Sequence, residues 1–278
     1  MSVAAPETTA EASPPSVSPA GAISIIGVTK EFGSHRVLED VTFEVPKGRT
    51  TAVMGPSGTG KSVLLKVVIG LLEPETGQVL IDGEPVVGVR ERHLMGIRRK
   101  IGVLFQDGAL FGSMDLFDNI AFPLRQHTRS SERQIRVKVL EKAEMVGLVA
   151  HLSKLPGEVS GGMRKRAGLA RALILDPEII LFDEPDSGLD PVRVAYLDDL
   201  VNTVQTETGA TFLIITHNIE SVRRTADHIG LLFRSRLVGF GPKEQMMSDP
   251  DPVINQFMNG RPAGPIAMDE MSEENETE

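Results

Sequence analysis

The 278-residue chain contains no cysteine, no tryptophan and a single tyrosine. Without thiols it can form neither disulfides nor thiolate zinc sites. Long apolar runs are missing as well. The best, Val63 to Leu72, carries Lys66 and falls well short of the roughly 18–20 residues a bilayer span requires. Base is in deficit, with 29 Lys and Arg against 38 Asp and Glu and a formal charge of −9. That balance argues against a protein gripping nucleic acid through counterion release, and no nucleic-acid partner is expected. The first twenty residues lack the basic start and apolar stretch of a secretory signal. No repeat recurs at solenoid or propeller period.

What is present divides the chain. At 41% hydrophobic residues there is enough apolar material for a sizeable core. The negative charge is not spread over it: residues 1–20 and 264–278 together hold eight of the nine net units. Residues 1–20 form a Pro/Ala/Ser-rich leader and 266–278 an acidic tail. Both have the composition of disordered segments. Between them lie a body, 21–245, and an extension, 246–265. In the body, Thr50 to Met54, Ile101 to Leu104, Ile179 to Phe182, Phe212 to Ile215 and Ile229 to Phe233 lack polar alternation, as strands covered on both faces do. Ile23 to Val28, Val37 to Val45 and Val79 to Val87 alternate instead, which predicts an antiparallel layer with one solvated face. From about 111 to 172 strand signals stop. Ser131 and Gln134 offer a capping box for a helix carrying Ile135, Val139, Leu140, Ala143 and Val146. The expectation is an α/β fold: a mainly parallel sheet, an antiparallel β subdomain and an inserted α-helical subdomain.

The densest chemistry lies in Gly55-Pro56-Ser57-Gly58-Thr59-Gly60-Lys61-Ser62, after one predicted strand and opening a helix, with Val63 next. This is the Walker A pattern in its required context. Glycines let backbone N–H groups converge on a β-phosphate, and the helix start adds its positive dipole end. Lys61 would neutralise β- and γ-phosphate oxygens, and the Ser62 hydroxyl would ligate Mg²⁺. The apolar strand Ile179 to Phe182 ends in Asp183 and Glu184, the Walker B form. Asp183 would hold Mg²⁺ and Glu184 would polarise the attacking water. Val159-Ser160-Gly161-Gly162-Met163 precedes another helix-like stretch and offers a second anion site. Two phosphate cradles for one nucleotide imply a dimer.

Together these segments resemble the ATP-binding cassette (ABC) ATPases, P-loop NTPases with a RecA-like sheet, over about Ile23 to Pro242. The resemblance implies that Ser160, Gly161 and Gly162 close on the γ-phosphate of ATP held by a second copy of the chain. Met163 replaces the family's usual Gln there. Gln106 then corresponds to the Q-loop glutamine near Mg²⁺ and the water, Asp190 in Ser187-Gly188-Leu189-Asp190 to a D-loop residue acting across the dimer, His217 to the γ-phosphate switch, and Phe32 to the ring stacking on adenine. His35, His93, His127, His151 and His228 show no metal-ligand spacing. The run Arg164, Lys165, Arg166 reads as a solvated helix face.

A narrower likeness lies in Gly108-Ala109-Leu110-Phe111, in Asp118 to Arg125, and in Asp249-Pro250-Asp251-Pro252, Gln256-Phe257 and Gly264-Pro265. These resemble the ATPases of Mce- and Mla-type lipid transporters. That group implies integral-membrane permease partners contacting the chain beyond Gln106, extracytoplasmic Mce-type substrate-binding subunits, and a position on the cytoplasmic face of the plasma membrane. It also implies a C-terminal extension reaching toward the neighbouring ATPase. The alternatives are an importer ATPase for amino acids or another polar solute, and an ABC ATPase acting on DNA or ribosomes. The last is disfavoured, because only about a hundred residues separate Gly55 from Ser160 and there is one cassette and no cysteine.

Overall fold

Alternating apolar and polar side chains from Ile23 onward build an antiparallel layer in the computed structural model, which describes residues 21–267. Its strands are β1 (Ile23–Phe32), β2 (His35–Val45), β4 (Thr76–Ile81) and β5 (Glu84–Pro85), in the order β2-β1-β4-β5. Ile23 pairs with Val45 on one side and Ile81 on the other. Ile23, Ile25, Val28, Val41, Phe43 and Val79 are buried in one cluster with Leu64, Val67 and Val68 of helix α1 (Lys61–Val68). The segment Val79 to Val87 is two strands, because Asp82 and Gly83 turn the chain with φ of 49° and 79°.

The second sheet runs β10-β9-β3-β8-β7-β6. The strands are β3 (Thr50–Met54), β6 (Ile101–Leu104), β7 (Ile179–Asp183), β8 (Thr211–Ile215), β9 (His228–Phe233) and β10 (Arg236–Pro242). All neighbours are parallel except β10, which returns antiparallel along β9. The five parallel strands are the five unalternating runs, and β3 and β8 are buried along their whole length. Sequence patterning did not reveal β10, whose apolar run is interrupted by Gly239 and Gly241.

Three helices, α3 (Leu116–His127), α4 (Glu132–Met145) and α5 (Gly161–Leu173), fall between β6 and β7 and share a second apolar cluster with Phe182 and Phe212 of the sheet. The Ser131–Gln134 capping box starts α4. Ile135, Val139, Ala143 and Val146 are buried there, whereas Leu140 is 37% exposed and belongs to the outer face. Four further helices lie outside this insertion: α2 (Glu91–Arg98), α6 (Pro191–Thr208), α7 (Ile219–Thr225) and α8 (Lys243–Met247).

The chain then forms α9 (Pro252–Met258), capped by the Asp251 carboxylate on the amides of Val253 and Ile254. Met246, Ile254 and Met258 pack on Met54, Ile229 and Leu231. The buried Gln256 amide brackets Ile266, donating to its carbonyl and accepting from its N–H. The described part of the extension thus packs against its own sheet. The expectations for the leader and for most of the acidic tail fall outside the described residues. Among the described residues no helix is long and apolar enough to cross a membrane.

Candidate functional site

Parallel strands end at one edge of a sheet, and that edge collects the predicted chemistry. From β3 the chain turns through Gly55, Gly58 and Gly60, all at positive φ, into α1. A side chain at Gly55 would run into the Leu232 carbonyl, and a Cβ at Gly60 would lie 2.6 Å from the Val37 oxygen. Glycine is therefore required at both places for close backbone approach. Thr59 stiffens the turn by donating to the Pro56 carbonyl at 3.0 Å. Pro56, Ser57 and Gly58 form its more accessible crest, with Val63 partly buried behind it.

Lys61 is 5% exposed and lies along the loop, donating to the carbonyls of Gly55 (3.0 Å) and Pro56 (2.7 Å). Burial pushes its ammonium below the ordinary lysine range, against the attraction of Glu184 and Asp183. Ser62, the next residue, donates to the Asp183 carboxylate at 2.9 Å. Burial lifts Asp183 above the usual carboxylate range; the Ser62 bond opposes this and the Glu184 charge adds to it. A hydroxyl and a destabilised carboxylate side by side are hard oxygen donors, the set Mg²⁺ takes alongside substrate phosphates. The donor chemistry at Ser62 and Asp183 therefore fits that ion.

Two neighbouring strands complete the edge. Glu184 follows β7 with φ of 45°, and its carboxylate lies 3.5 Å from His217 Nδ1, which follows β8. Gln106 follows β6 and donates to the Ser187 hydroxyl at 3.2 Å. Lys61, Ser62, Gln106, Asp183, Glu184 and His217 are thus brought together.

The remaining expected residues lie elsewhere on the chain. Ser160 caps α5, accepting from the Met163 amide at 3.3 Å. With Gly162 and Met163 it opens on a separate cleft lined also by Leu189, Arg193 and Tyr196. Asp190 caps α6 through the amides of Val192 and Arg193, with the Arg193 guanidinium 3.2 Å from its other oxygen. Phe32 stands at the end of β1, 48% exposed, with Lys30 Nζ 5.2 Å from its ring centre.

The basic run is not a solvated face. Lys165 is 4% exposed and donates to the Pro185 carbonyl at 2.7 Å and to that of Ser187, while Arg164 and Arg166 bond the carbonyls of Val159 and Val146. Sequence reading also passed over Asp186, buried and accepting from the Thr216 hydroxyl at 2.9 and 3.1 Å. The only signal of that pair is its position, two residues beyond Glu184 and one before His217.

Asn119 is fully buried under the loop that follows Gln106. It accepts from Phe111 N–H and donates to the carbonyls of Phe111, Met114 and Asp115. Beside this loop a cleft between the sheet and the helical insertion is lined by Met95, Ile101, Phe105, Pro123, Arg171 and Leu175.

Comparison with known proteins gives the same outline. The family model described as "ABC transporter" matches residues 38–187, and one described as "AAA domain, putative AbiEii toxin, Type IV TA system" matches 155–223. The "Probable ribonucleotide transport ATP-binding protein mkl" of Mycobacterium leprae is 56% identical over 253 residues, covering 91% of this chain and 73% of that protein. The "Intermembrane phospholipid transport system ATP-binding protein MlaF" of Escherichia coli is 38% identical over 234 residues, covering 84% of this chain and 87% of the relative. Among solved structures, the dimeric post-hydrolysis state of the ATP-binding cassette MJ0796 bound to ADP and Pi superposes with a TM-score of 0.73. It is 30% identical and covers 79% of this chain and 98% of that one.

Proposed function

Because this chain belongs to the ATP-binding family of ABC transporters, we propose that two copies close head to tail around two ATP and drive a separate membrane permease whose cargo is lipid. As a P-loop NTPase of that family it binds and hydrolyses ATP. The observation that carries the proposal is the split site. Lys61, Ser62, Gln106, Asp183, Glu184 and His217 gather on one sheet edge, while the anion-binding start of α5 opens on a different cleft. A helix N-terminus that opens on a cleft not lined by its own phosphate loop is suited to a phosphate brought by a second copy.

In this reading the amides of 55–62 hold the β-phosphate and Lys61 the β- and γ-oxygens, with Phe32 stacked on adenine. Ser62 and Asp183 would hold Mg²⁺, with Gln106 at the same sheet edge. When bound, that ion would supply positive charge to offset the phosphate oxygens. Glu184 takes the proton of the attacking water, and His217 and the partner's Ser160–Gly162 contact the γ-phosphate. Asp190, at the start of α6, serves the contact between copies. ATP thereby supplies contacts that exist only in the closed pair, so its hydrolysis releases them.

Lipid as cargo rests on the segments that resemble Mce/Mla ATPases. The first forms a defined unit, the loop fixed by Asn119 beside the cleft where a permease element would dock, on the cytoplasmic face of the plasma membrane. The extracytoplasmic partners would then be Mce-type substrate-binding subunits. The names of the two relatives point to different cargoes, phospholipid and ribonucleotide. Purifying the native membrane complex and identifying its subunits and co-purifying small molecules decides between them. Mce-type subunits and bound lipid are expected; a polar-solute binding protein without lipid would replace this reading with the importer alternative.

A further inference from the structure

Lys165 sits one turn into α5, in the helix that begins with Ser160, Gly161 and Gly162. Its ammonium has three N–H donors. All point at one short loop: it donates to the carbonyls of Pro185 and Ser187, and the Glu184 carbonyl lies 3.5 Å away. That loop begins with a residue in an unfavourable backbone conformation. Glu184 occupies the left-handed region, φ 45°, which is unfavourable for a residue with a Cβ. The surroundings must therefore hold it there. The Ile215 carbonyl takes its N–H at 2.9 Å, and Lys165 lies against its carbonyl side.

Burying an ammonium costs free energy that an apolar side chain of the same length would not incur. Desolvation indeed pushes Lys165 below the usual lysine range, opposed by Asp186, Asp107 and Glu184. Asp186, inside the same loop, is bonded to Thr216, whose oxygen in turn accepts the Asn218 N–H. His217 lies between those two residues, so the loop that Lys165 holds also fixes the base of the His217 turn.

We infer that Lys165 is a positioning residue: from the helix that presents Ser160–Gly162 it holds the 184–187 loop in the conformation that aims the Glu184 carboxylate toward His217. The inference rests on Glu184 being the group that activates water. It adds that, within one chain, the end of α5 facing the partner's nucleotide is mechanically joined to the carboxylate acting on the chain's own nucleotide.

The test uses the 278-residue chain with Lys165→Met and Lys165→Gln beside Glu184→Gln. ATP turnover, affinity for a fluorescent ATP analogue and melting temperature are measured on each. For Lys165→Met, kcat is expected to fall by about tenfold or more with analogue affinity within about twofold of wild type. Lys165→Gln retains two N–H donors and is expected to lie between Met and wild type, a grading of kcat that melting temperature alone would not follow. Wild-type kcat in Lys165→Met, or parallel loss of affinity and kcat in both variants, overturns the inference. If Lys165→Met does not fold, the kcat-to-affinity comparison in Lys165→Gln decides in the same way. Normal turnover by Glu184→Gln would instead remove the functional reading beneath it, so the two failures are distinct.

Discussion

Glu184 and Asp183 are adjacent carboxylates with different surroundings, and the proposed function gives them different work. Glu184 faces His217 at 3.5 Å, whereas Asp183 is bonded to Ser62. Glu184→Gln keeps size and hydrogen bonding but cannot take a proton. It is expected to lower ATP turnover by at least about 100-fold while ATP binding persists, measured by phosphate release and equilibrium binding. Asp183 leads to a prediction about pH. Its folded pKa is raised by burial, so the nucleotide-free fold binds this proton more readily than the unfolded chain. Stability from this site is therefore greatest in acid and falls as pH rises from the ordinary carboxylate value through the raised one; buried Asp198 acts in the same sense. Asp183→Asn, which still accepts from Ser62, is expected to raise the melting temperature at neutral pH and flatten that slope, while Mg²⁺-ATP stabilises it less than wild type. Calorimetry across pH with and without nucleotide checks both signs.

At the scale of elements, what could be read in advance followed from whether neighbours in space are neighbours in sequence. The phosphate loop is eight consecutive residues, and the capping box of α4 spans four, so both were legible. The five core strands were legible because cover on both faces, complete along β3 and β8, leaves runs without regular polar alternation. Lys165 was misread because its partners lie twenty and more residues downstream, and a triplet of bases on a helix carries no mark of which one points inward. Asn119 was likewise silent in its role. Its side chain partners the Phe111 N–H and the Met114 carbonyl, which have no backbone partner in the loop, and Asn119→Ala would leave both unpaired, while the Phe111 and Asp115 carbonyls keep the N–H groups of Met114 and Asn119. The expected cost is about 1–3 kcal/mol in chemical denaturation. In the permease complex, the proposed docking loop should also lose stimulation of ATPase activity by the permease.

At the scale of the whole molecule, the proposed division between the phosphate loop and the start of α5 can be tested. Ser160→Glu places a carboxylate where a partner's γ-phosphate would arrive, without touching the chain's own phosphate loop. ATP affinity of the monomer is expected to stay within about twofold, while the ATP-dependent dimer of the Glu184→Gln background disappears in light scattering. An unchanged dimer would place the second cradle elsewhere.

The order β3-β8-β7-β6 has one more consequence. The phosphate loop, His217, Glu184 and Gln106 each hang from the end of a different strand in that row. The spacing between strands is about 4.8 Å whatever the side chains, because peptide hydrogen bonds set it. The site is thus laid out on a ruler whose divisions substitution cannot easily redraw. Surface residues can diverge widely around such a scale without moving the site's divisions.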